Sequence, residues 1–208
     1  MSNVIERAHY LLSAHLPNQL PPDDGREVVF VGRSNAGKST ALNALTKQKA
    51  LARVSKTPGR TRQLVYFHVL PQRYLVDLPG YGYARVSRDL QAHWQTFIDG
   101  YFATRQSLQG LVVVMDCRHP LTPDDWLLLD YATQQTLPFH VVLTKADKLG
   151  RSQQNQALQQ VQHALQQRLS AQASVQLFSG PKRQGVDQLQ QVVSGWLALT
   201  TEGAVAEG

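Results

Sequence analysis

The stretch EVVFVGRSNAGKST, residues 27–40, decides the fold of this 208-residue chain. Its first half is a short, apolar and β-branched run, which is typical of a buried strand. Its second half, from Gly32 to Ser39, has the spacing G-x-x-x-x-G-K-[ST] and precedes helix-forming residues. A glycine-rich loop between a strand and a helix lets backbone N–H groups approach phosphate, and the helix N-terminus adds positive potential. The sequence therefore predicts a phosphate-binding loop.

The side chains of this loop have distinct expected roles. Lys38 is expected to bridge the β- and γ-phosphates of a nucleotide and to act in catalysis, and Ser39 is expected to bind Mg²⁺. The loop residues expected to contact the nucleotide are Gly32, Arg33, Ser34, Asn35, Ala36, Gly37, Lys38, Ser39 and Thr40.

Strand-like and helix-like segments alternate along the rest of the chain. Strands that are apolar on both faces and alternate with helices predict a mostly parallel sheet covered on two sides. Thr122, Pro123 and Asp125 have the pattern of a helix start, as N-cap, first-turn proline and capping-box acid. The expected divisions are a helical extension at residues 1–26 packed on the main domain, a nucleotide-binding domain at 27–199 and a flexible tail at 200–208.

Basic residues are concentrated in one part of the chain. Residues 28–76 contain nine Lys or Arg and no Asp or Glu, so this segment has a charge of +9. Because the net charge of the whole chain is +6, the rest of the chain has a charge of −3. Such an asymmetry indicates a polyanionic partner, either a nucleotide, a nucleic acid or a membrane. The one cysteine, Cys117, excludes an internal disulfide, and no apolar run is long enough to span a bilayer. We expect a cytoplasmic protein without a membrane anchor.

Two further segments indicate a guanine nucleotide. LTKAD, residues 143–147, follows a strand, and a carboxylate at Asp147 can accept hydrogen bonds from N1–H and N2–H₂ of guanine. Adenine lacks this donor pair and would leave the carboxylate unpaired. Lys145 is expected to lie along the base plane. The full set expected around the base is Thr144, Lys145, Asp147, Phe178, Ser179 and Gly180.

A second phosphate-sensing region lies between residues 55 and 80. In SKTPGRTRQ, a threonine is expected to close over Mg²⁺ and the γ-phosphate. Thr61 is the choice, Thr57 is the alternative, and Gly59 lies beside them in the expected site. In DLPG, Asp77 is expected to hold Mg²⁺ through water, and the Gly80 N–H is expected to meet the γ-phosphate.

At this level of detail the chain resembles a known family. GRSNAGKST, SKTPGRTR, DLPGYGYARVS, VVVMDCRHPLTPDDW and TKADKL closely resemble bacterial ribosome-biogenesis GTP-binding proteins of the EngB (YihA/YsxC) type, in the Era-like group of translation-factor-related GTPases. The resemblance implies a three-layer Ras-like P-loop GTPase fold, with a six-stranded, mostly parallel sheet, one antiparallel strand and helices on both faces. It also implies GTP hydrolysis in late assembly of the large ribosomal subunit, as a monomer and without DNA. The chain departs from the family pattern at Ala36 and at Gly180–Pro181.

The residue after Gly80 is Tyr81, where Ras-type switches have a water-orienting Gln. Without that Gln, the expected unaided rate is low, on the order of 10⁻⁴ s⁻¹. The resemblance implies that Asn35 coordinates K⁺ beside the β- and γ-phosphates; the alternatives are an Asn35 that only bonds within the loop, and Arg60 or Arg85 as a finger in cis. A roughly 10⁵-fold acceleration needs about 7 kcal/mol, so a partner is expected to order the loops at 53–62 and 80–90.

Two alternative functions are compatible with the same predicted site. One is a guanine-nucleotide-dependent scaffold in which hydrolysis is incidental. The other is a membrane-associated or cell-division (septation) switch, which a basic patch also permits. Partner-stimulated turnover separates the first from an assembly GTPase, because a scaffold should show none.

Overall fold

The computed structural model describes residues 4–52, 63–80, 88–169 and 173–199, with side chains from residue 96 onward in the third range. Strands alternate with helices through most of these ranges. The strands are β1 (His9–Ala14), β2 (Arg26–Gly32), β3 (Leu64–Leu70), β4 (Arg73–Asp77), β5 (Leu108–Asp116), β6 (Phe139–Thr144) and β7 (Ala173–Leu177). The helices are α1 (Lys38–Leu45), α2 (Arg88–Thr104), α3 (Pro123–Gln134), α4 (Arg151–Arg168) and α5 (Val186–Trp196).

The strands form one sheet in the order β1-β3-β4-β2-β5-β6-β7. The pairings of β4 with β2, β2 with β5, β5 with β6 and β6 with β7 are parallel. β3 pairs antiparallel with both β4 and β1, so β3 alone among the described strands runs against the others. The predicted mostly parallel sheet with one antiparallel strand is confirmed, but the sheet has seven strands rather than six.

The additional strand comes from the N-terminal region, where a helix was predicted. Val4–Arg7 form one turn of 3-10 helix, and His9–Ala14 then pair with β3 along the sheet edge. The helix prediction is wrong because the partner strand that satisfies the backbone of residues 9–14 lies about fifty residues away in sequence. The proposed division of the chain at residues 26 and 199 stays a prediction.

The helices cover both faces of the sheet. Alternate residues of β5 point to opposite cores: Leu111, Val113 and Met115 pack with α2, α3 and α4, whereas Val112 and Val114 pack with α1 and α5. This two-sided burial explains why the central strands are apolar throughout. The predicted three-layer architecture is confirmed. None of the helices within the described ranges combines the length and apolar character needed to cross a bilayer.

A buried carboxylate connects the amino end of β2 to α2 and β3. Glu27 is fully buried and accepts hydrogen bonds from the hydroxyls of Tyr101, at 2.6 Å, and Tyr66, at 3.1 Å. The guanidinium of Arg105, directly after α2, donates to the same carboxylate, with Nε at 3.0 Å from Oε1. Arg105 also donates to the carbonyl of Pro21 at 2.8 Å. The charge is therefore compensated inside the core.

We expect Arg105→Met to lower the free energy of unfolding by roughly 3 kcal/mol, because it leaves the buried Glu27 carboxylate without its counter-ion. Urea denaturation followed by circular dichroism measures the loss. The control is Asp130→Asn, which removes the ion pair with Arg168 at the surface but leaves the stacking of Arg168 over Trp126, and should cost about 1 kcal/mol or less. Equal losses for the two variants would contradict a special role for the Glu27 cluster.

Candidate nucleotide-binding site

The glycine-rich loop occupies the predicted position. β2 ends at Gly32 and α1 begins at Lys38, so residues 33–37 cross the carboxyl edge of the sheet. Gly37 has φ +103°, a conformation that favours glycine, and Asn35 has φ +61°. A Cβ at Gly32 would overlap the carbonyl oxygen of Val114 on β5. The loop therefore requires its two terminal glycines for different reasons, one for backbone angle and one for space.

The end of β6 holds the loop from one side. The Thr144 hydroxyl is buried and lies within hydrogen-bond distance of two carbonyl oxygens, those of Ala36 and Met115. The neighbouring Lys145 donates from Nζ to the carbonyl oxygen of Asn35 at 2.6 Å. The Thr144 hydroxyl therefore supports the loop, and the nucleotide contact expected of Thr144 stays a prediction.

Lys38 and Asp77 meet at the start of α1. They form an ion pair in which both side chains are largely buried. Burial raises the pKa of Asp77, and the Lys38 ammonium opposes that rise by favouring the ionised carboxylate. Asp77 lies beside Phe30 in the β2–β4 register, which places its carboxylate at the same sheet edge as the loop. The predicted phosphate-binding lysine and the predicted metal-binding carboxylate are therefore neighbours.

The donor chemistry at this edge fits Mg²⁺. The Ser39 hydroxyl follows Lys38 in the first turn of α1, and Asp77 supplies a carboxylate. Mg²⁺ prefers hard oxygen ligands and commonly uses one or two protein groups together with waters and substrate phosphates. Within the described ranges no group of three or more His, Cys, Asp or Glu side chains could hold a metal ion.

The DLPG turn packs against the loop. A Cβ at Gly80 would lie 2.9 Å from the backbone nitrogen of Ser34, so the two segments approach more closely than a side chain permits. The Leu78 N–H donates to the Phe30 carbonyl at 3.0 Å and continues the β4–β2 pairing to this point. Gly80 is thus beside the loop, as its expected γ-phosphate contact requires.

Other predicted residues fall outside the described part of the chain. These are Thr57, Gly59, Arg60, Thr61, Tyr81 and Arg85. The choice between Thr61 and Thr57 as the Mg²⁺-binding threonine stays a prediction.

The expected guanine site is assembled from two loops. Asp147 lies in a 3-10 turn, Ala146–Lys148, after β6, and its Oδ1 accepts a hydrogen bond from the Ser179 hydroxyl at 2.6 Å. This bond is the largest of the effects that lower the pKa of Asp147. Phe178 is buried, and its carbonyl accepts from the Ala146 N–H at 3.1 Å. Ser179 therefore orients the predicted guanine-reading carboxylate, while Phe178 joins the two loops.

Gly180 brings the second loop against α1. A Cβ at this position would lie 2.6 Å from Cγ2 of Thr40. Thr40 is β-branched and lies in a helix, so its side chain has little freedom to move away. Position 180 therefore requires glycine because it lies so close to Thr40. Thr40 is itself one of the residues predicted to bind the nucleotide.

Asp116 and Arg118 also belong to this site, and the sequence reasoning missed them. Asp116 ends β5 and accepts from Lys145 Nζ at 2.9 Å and from Arg118 Nη2 at 2.6 Å. Burial would raise the pKa of Asp116, but the hydrogen bonds from Arg118 and Lys145 outweigh it and hold the pKa below its ordinary value. The available signal was a carboxylate directly after the apolar run at residues 111–115, at the end of the sheet where α/β proteins bind ligands.

Comparison with known proteins agrees with this geometry. A family model described as 50S ribosome-binding GTPase matches residues 27–145. The "Probable GTP-binding protein EngB" of Xanthomonas axonopodis pv. citri (strain 306) is 62% identical, covering 100% of this chain and 97% of that protein. The protein of the same name from Stenotrophomonas maltophilia (strain K279a) is 65% identical, covering 96% of this chain and 100% of its own length.

Solved structures show the same fold at low sequence identity. The crystal structure of a probable GTP-binding protein engB is similar with a TM-score of 0.63 at 19% identity, covering 84% of this chain and 100% of that chain. A single-residue variant of Aquifex aeolicus Era bound to GDP·AlF4⁻ is similar with a TM-score of 0.64 at 22% identity, covering 82% of this chain and 56% of that chain.

We expect Gly180→Ala to weaken GDP binding about tenfold, because the added methyl group pushes the 178–180 loop away from Thr40 and α1. Titration with a fluorescent GDP derivative measures the affinity. The double variant Gly180→Ala/Thr40→Ser lacks the opposing Cγ2 and should recover most of it, with Thr40→Ser alone as control. Failure of the second substitution to restore affinity would show that the Thr40 contact is not the cause.

Proposed function

The chain belongs to the EngB family of GTP-binding proteins and is a GTPase, and from this premise we propose that its GTP-bound form acts as a switch in late assembly of the large ribosomal subunit. In this proposal GTP binding favours association with the subunit, and hydrolysis to GDP releases the protein. The protein acts in the cytoplasm as a monomer, on ribosomal RNA and ribosomal proteins.

The observation that carries the proposal is the family match. The matched model is described as a 50S ribosome-binding GTPase and extends from β2 to Lys145, across the phosphate loop and DLPG. A GTPase that binds a ribosomal particle can couple its nucleotide state to binding only if the two states differ at the bound surface.

The charge distribution supports a polyanionic partner of this kind. Four of the nine basic residues of segment 28–76, namely Arg53, Lys56, Arg60 and Arg62, are concentrated within residues 53–62. This is the stretch proposed to contain the γ-phosphate-sensing threonine. If the same stretch contacts RNA, the nucleotide state changes how its charges are presented, and binding depends strongly on salt because counterions are released.

The proposed roles at the nucleotide follow from the positions of the side chains. Lys38 would exchange its Asp77 partner for the β- and γ-phosphates, and Ser39 and Asp77 would hold Mg²⁺, Asp77 through water. Mg²⁺ would neutralise developing charge on the phosphate oxygens. Asp147, oriented by Ser179, accepts from guanine N1–H and N2–H₂. Its lowered pKa keeps the carboxylate ionised at neutral pH, as this recognition requires.

Asn35 is the proposed ligand of an activating K⁺. Its backbone is in the left-handed conformation, and its backbone carbonyl accepts a hydrogen bond from Lys145. The side-chain amide oxygen is a suitable ligand for a monovalent cation. A cation beside the β- and γ-phosphates would stabilise charge in the transition state, as an arginine finger does.

We expect the protein to co-sediment with large ribosomal subunits at least tenfold more strongly with a non-hydrolysable GTP analogue than with GDP. The small subunit is the control particle and should be bound weakly in both states. Raising KCl from about 50 to about 200 mM should weaken the specific binding at least tenfold. Equal binding in the two nucleotide states would contradict the switch.

We expect KCl to accelerate GTP turnover about tenfold over NaCl at equal ionic strength, through the Asn35 side chain. The test variant is Asn35→Gly, because glycine keeps the positive φ without strain whereas alanine does not. This variant should lose the difference between the salts. If salt identity is irrelevant but large subunits accelerate both proteins, Asn35 is structural and the ribosome completes catalysis.

A further inference from the structure

The carboxylate of Asp116 is saturated with hydrogen bonds. Its Oδ1 accepts from the Arg118 backbone N–H at 3.1 Å and from Arg118 Nε at 2.9 Å. Its Oδ2 accepts from Arg118 Nη2 at 2.6 Å and from Lys145 Nζ at 2.9 Å. A carboxylate offers about four acceptor positions, and all of them are used here. Asp116 therefore has no acceptor left for a nucleotide, and any effect on binding must pass through its neighbours.

Lys145 connects two parts of the site. Its ammonium donates to Asp116 on β5 and, at 2.6 Å, to the carbonyl of Asn35 in the phosphate loop. Both Lys145 and Asn35 have positive φ, +58° and +61°, a backbone conformation that is uncommon for lysine and more frequent for asparagine. Because these two hydrogen bonds fix the Lys145 ammonium, they also restrict the four-carbon stem of the side chain to one conformation.

Arg118 fixes Asp116 in turn. It binds the carboxylate with two parallel guanidinium bonds, a planar geometry that restricts rotation of the acceptor. The Arg118 side chain is 42% exposed, whereas that of Asp116 is only 17% exposed. The contacts thus form one continuous series, from Arg118 to Asp116, to Lys145 and to the loop carbonyl of Asn35, with Asp116 the least exposed of the three side chains.

We propose that Asp116, held by Arg118, is a positioning residue for Lys145 and through it links the guanine-base site to the geometry of the phosphate loop. The inference rests on the proposed guanine site at Lys145 and Asp147. When Asp116 is removed, the Lys145 ammonium keeps one fixed point instead of two. The Lys145 stem is then no longer held in the single conformation that would contact the guanine base, and the hydrogen bond to the Asn35 carbonyl becomes weaker.

A double-mutant cycle tests this pathway. The variants are Asp116→Ala, Lys145→Met and their combination, since methionine retains the apolar stem of lysine but lacks the ammonium. We expect Asp116→Ala to weaken binding of a fluorescent GDP derivative about tenfold and Lys145→Met to weaken it at least as much. The double variant should bind no more weakly than Lys145→Met. Multiplicative losses would overturn the proposal, because Asp116 would then act independently of Lys145.

Two further variants separate positioning from general stabilisation. Asp116→Asn keeps an acceptor oxygen for the Lys145 ammonium and should recover part of the affinity lost in Asp116→Ala. Asp130→Ala removes an exposed carboxylate paired with Arg168 on other elements and should leave GDP binding unchanged. If Asp116→Ala proves unstable by thermal denaturation, Arg118→Gln should still weaken GDP binding, severalfold, and lose that effect in the Lys145→Met background.

The experiment distinguishes two kinds of failure. Asp147→Asn serves as the reference for the guanine site itself. If neither Asp147→Asn nor Lys145→Met changes GDP affinity, the guanine site is wrong and the inference falls with it. If both weaken binding but Asp116→Ala does not, only the positioning role of Asp116 is overturned.

Discussion

The site depends on the hydrogen bonds that Thr144 and Lys145, at the end of β6, donate to carbonyl groups of the phosphate loop. Thr144 and Lys145, adjacent in sequence, engage the carbonyls of Ala36 and Asn35, which are adjacent in the loop. A loop that donates its N–H groups to phosphate must keep its carbonyls turned away, and these two side chains occupy them on that far side. The predicted phosphate and base sites therefore share one strand end, because Asp147 follows Lys145 by two residues.

The sheet makes this arrangement rigid. β2 and β6 flank β5, and the alternating residues of β5 fill both cores, so the carboxyl ends of all three strands keep a fixed spacing. At the other edge, the buried Glu27 charge is compensated by groups that follow or lie within α2 and β3. α2 begins at Arg88, eight residues after Gly80, and its carboxyl end is held by this cluster.

Family membership identifies a GTPase, and we expect its chemistry to need assistance. Tyr81 stands where a water-orienting glutamine would be, and the described residues near the loop supply charge stabilisation through Lys38 rather than an evident base. A switch of this kind suits a process in which a large partner completes the reaction. The concentration of basic residues before DLPG gives that partner an electrostatic reason to approach the same region.

The sequence by itself determined the strand–loop–helix form of the glycine-rich segment, the strand–helix alternation and the α3 start, because each depends on local spacing or periodicity. It also predicted the guanine-reading segment at residues 143–147. The Thr122–Asp125 capping box is present as predicted. Only the tertiary structure decided what depends on distant partners. β1 is a strand because β3 lies beside it, Thr144 supports the loop because β6 ends beneath it, and Gly180 is needed because Thr40 faces it. The tertiary structure likewise decided that Asp116 belongs to the site, because the parallel pairing of β5 and β6 brings its carboxylate to Lys145.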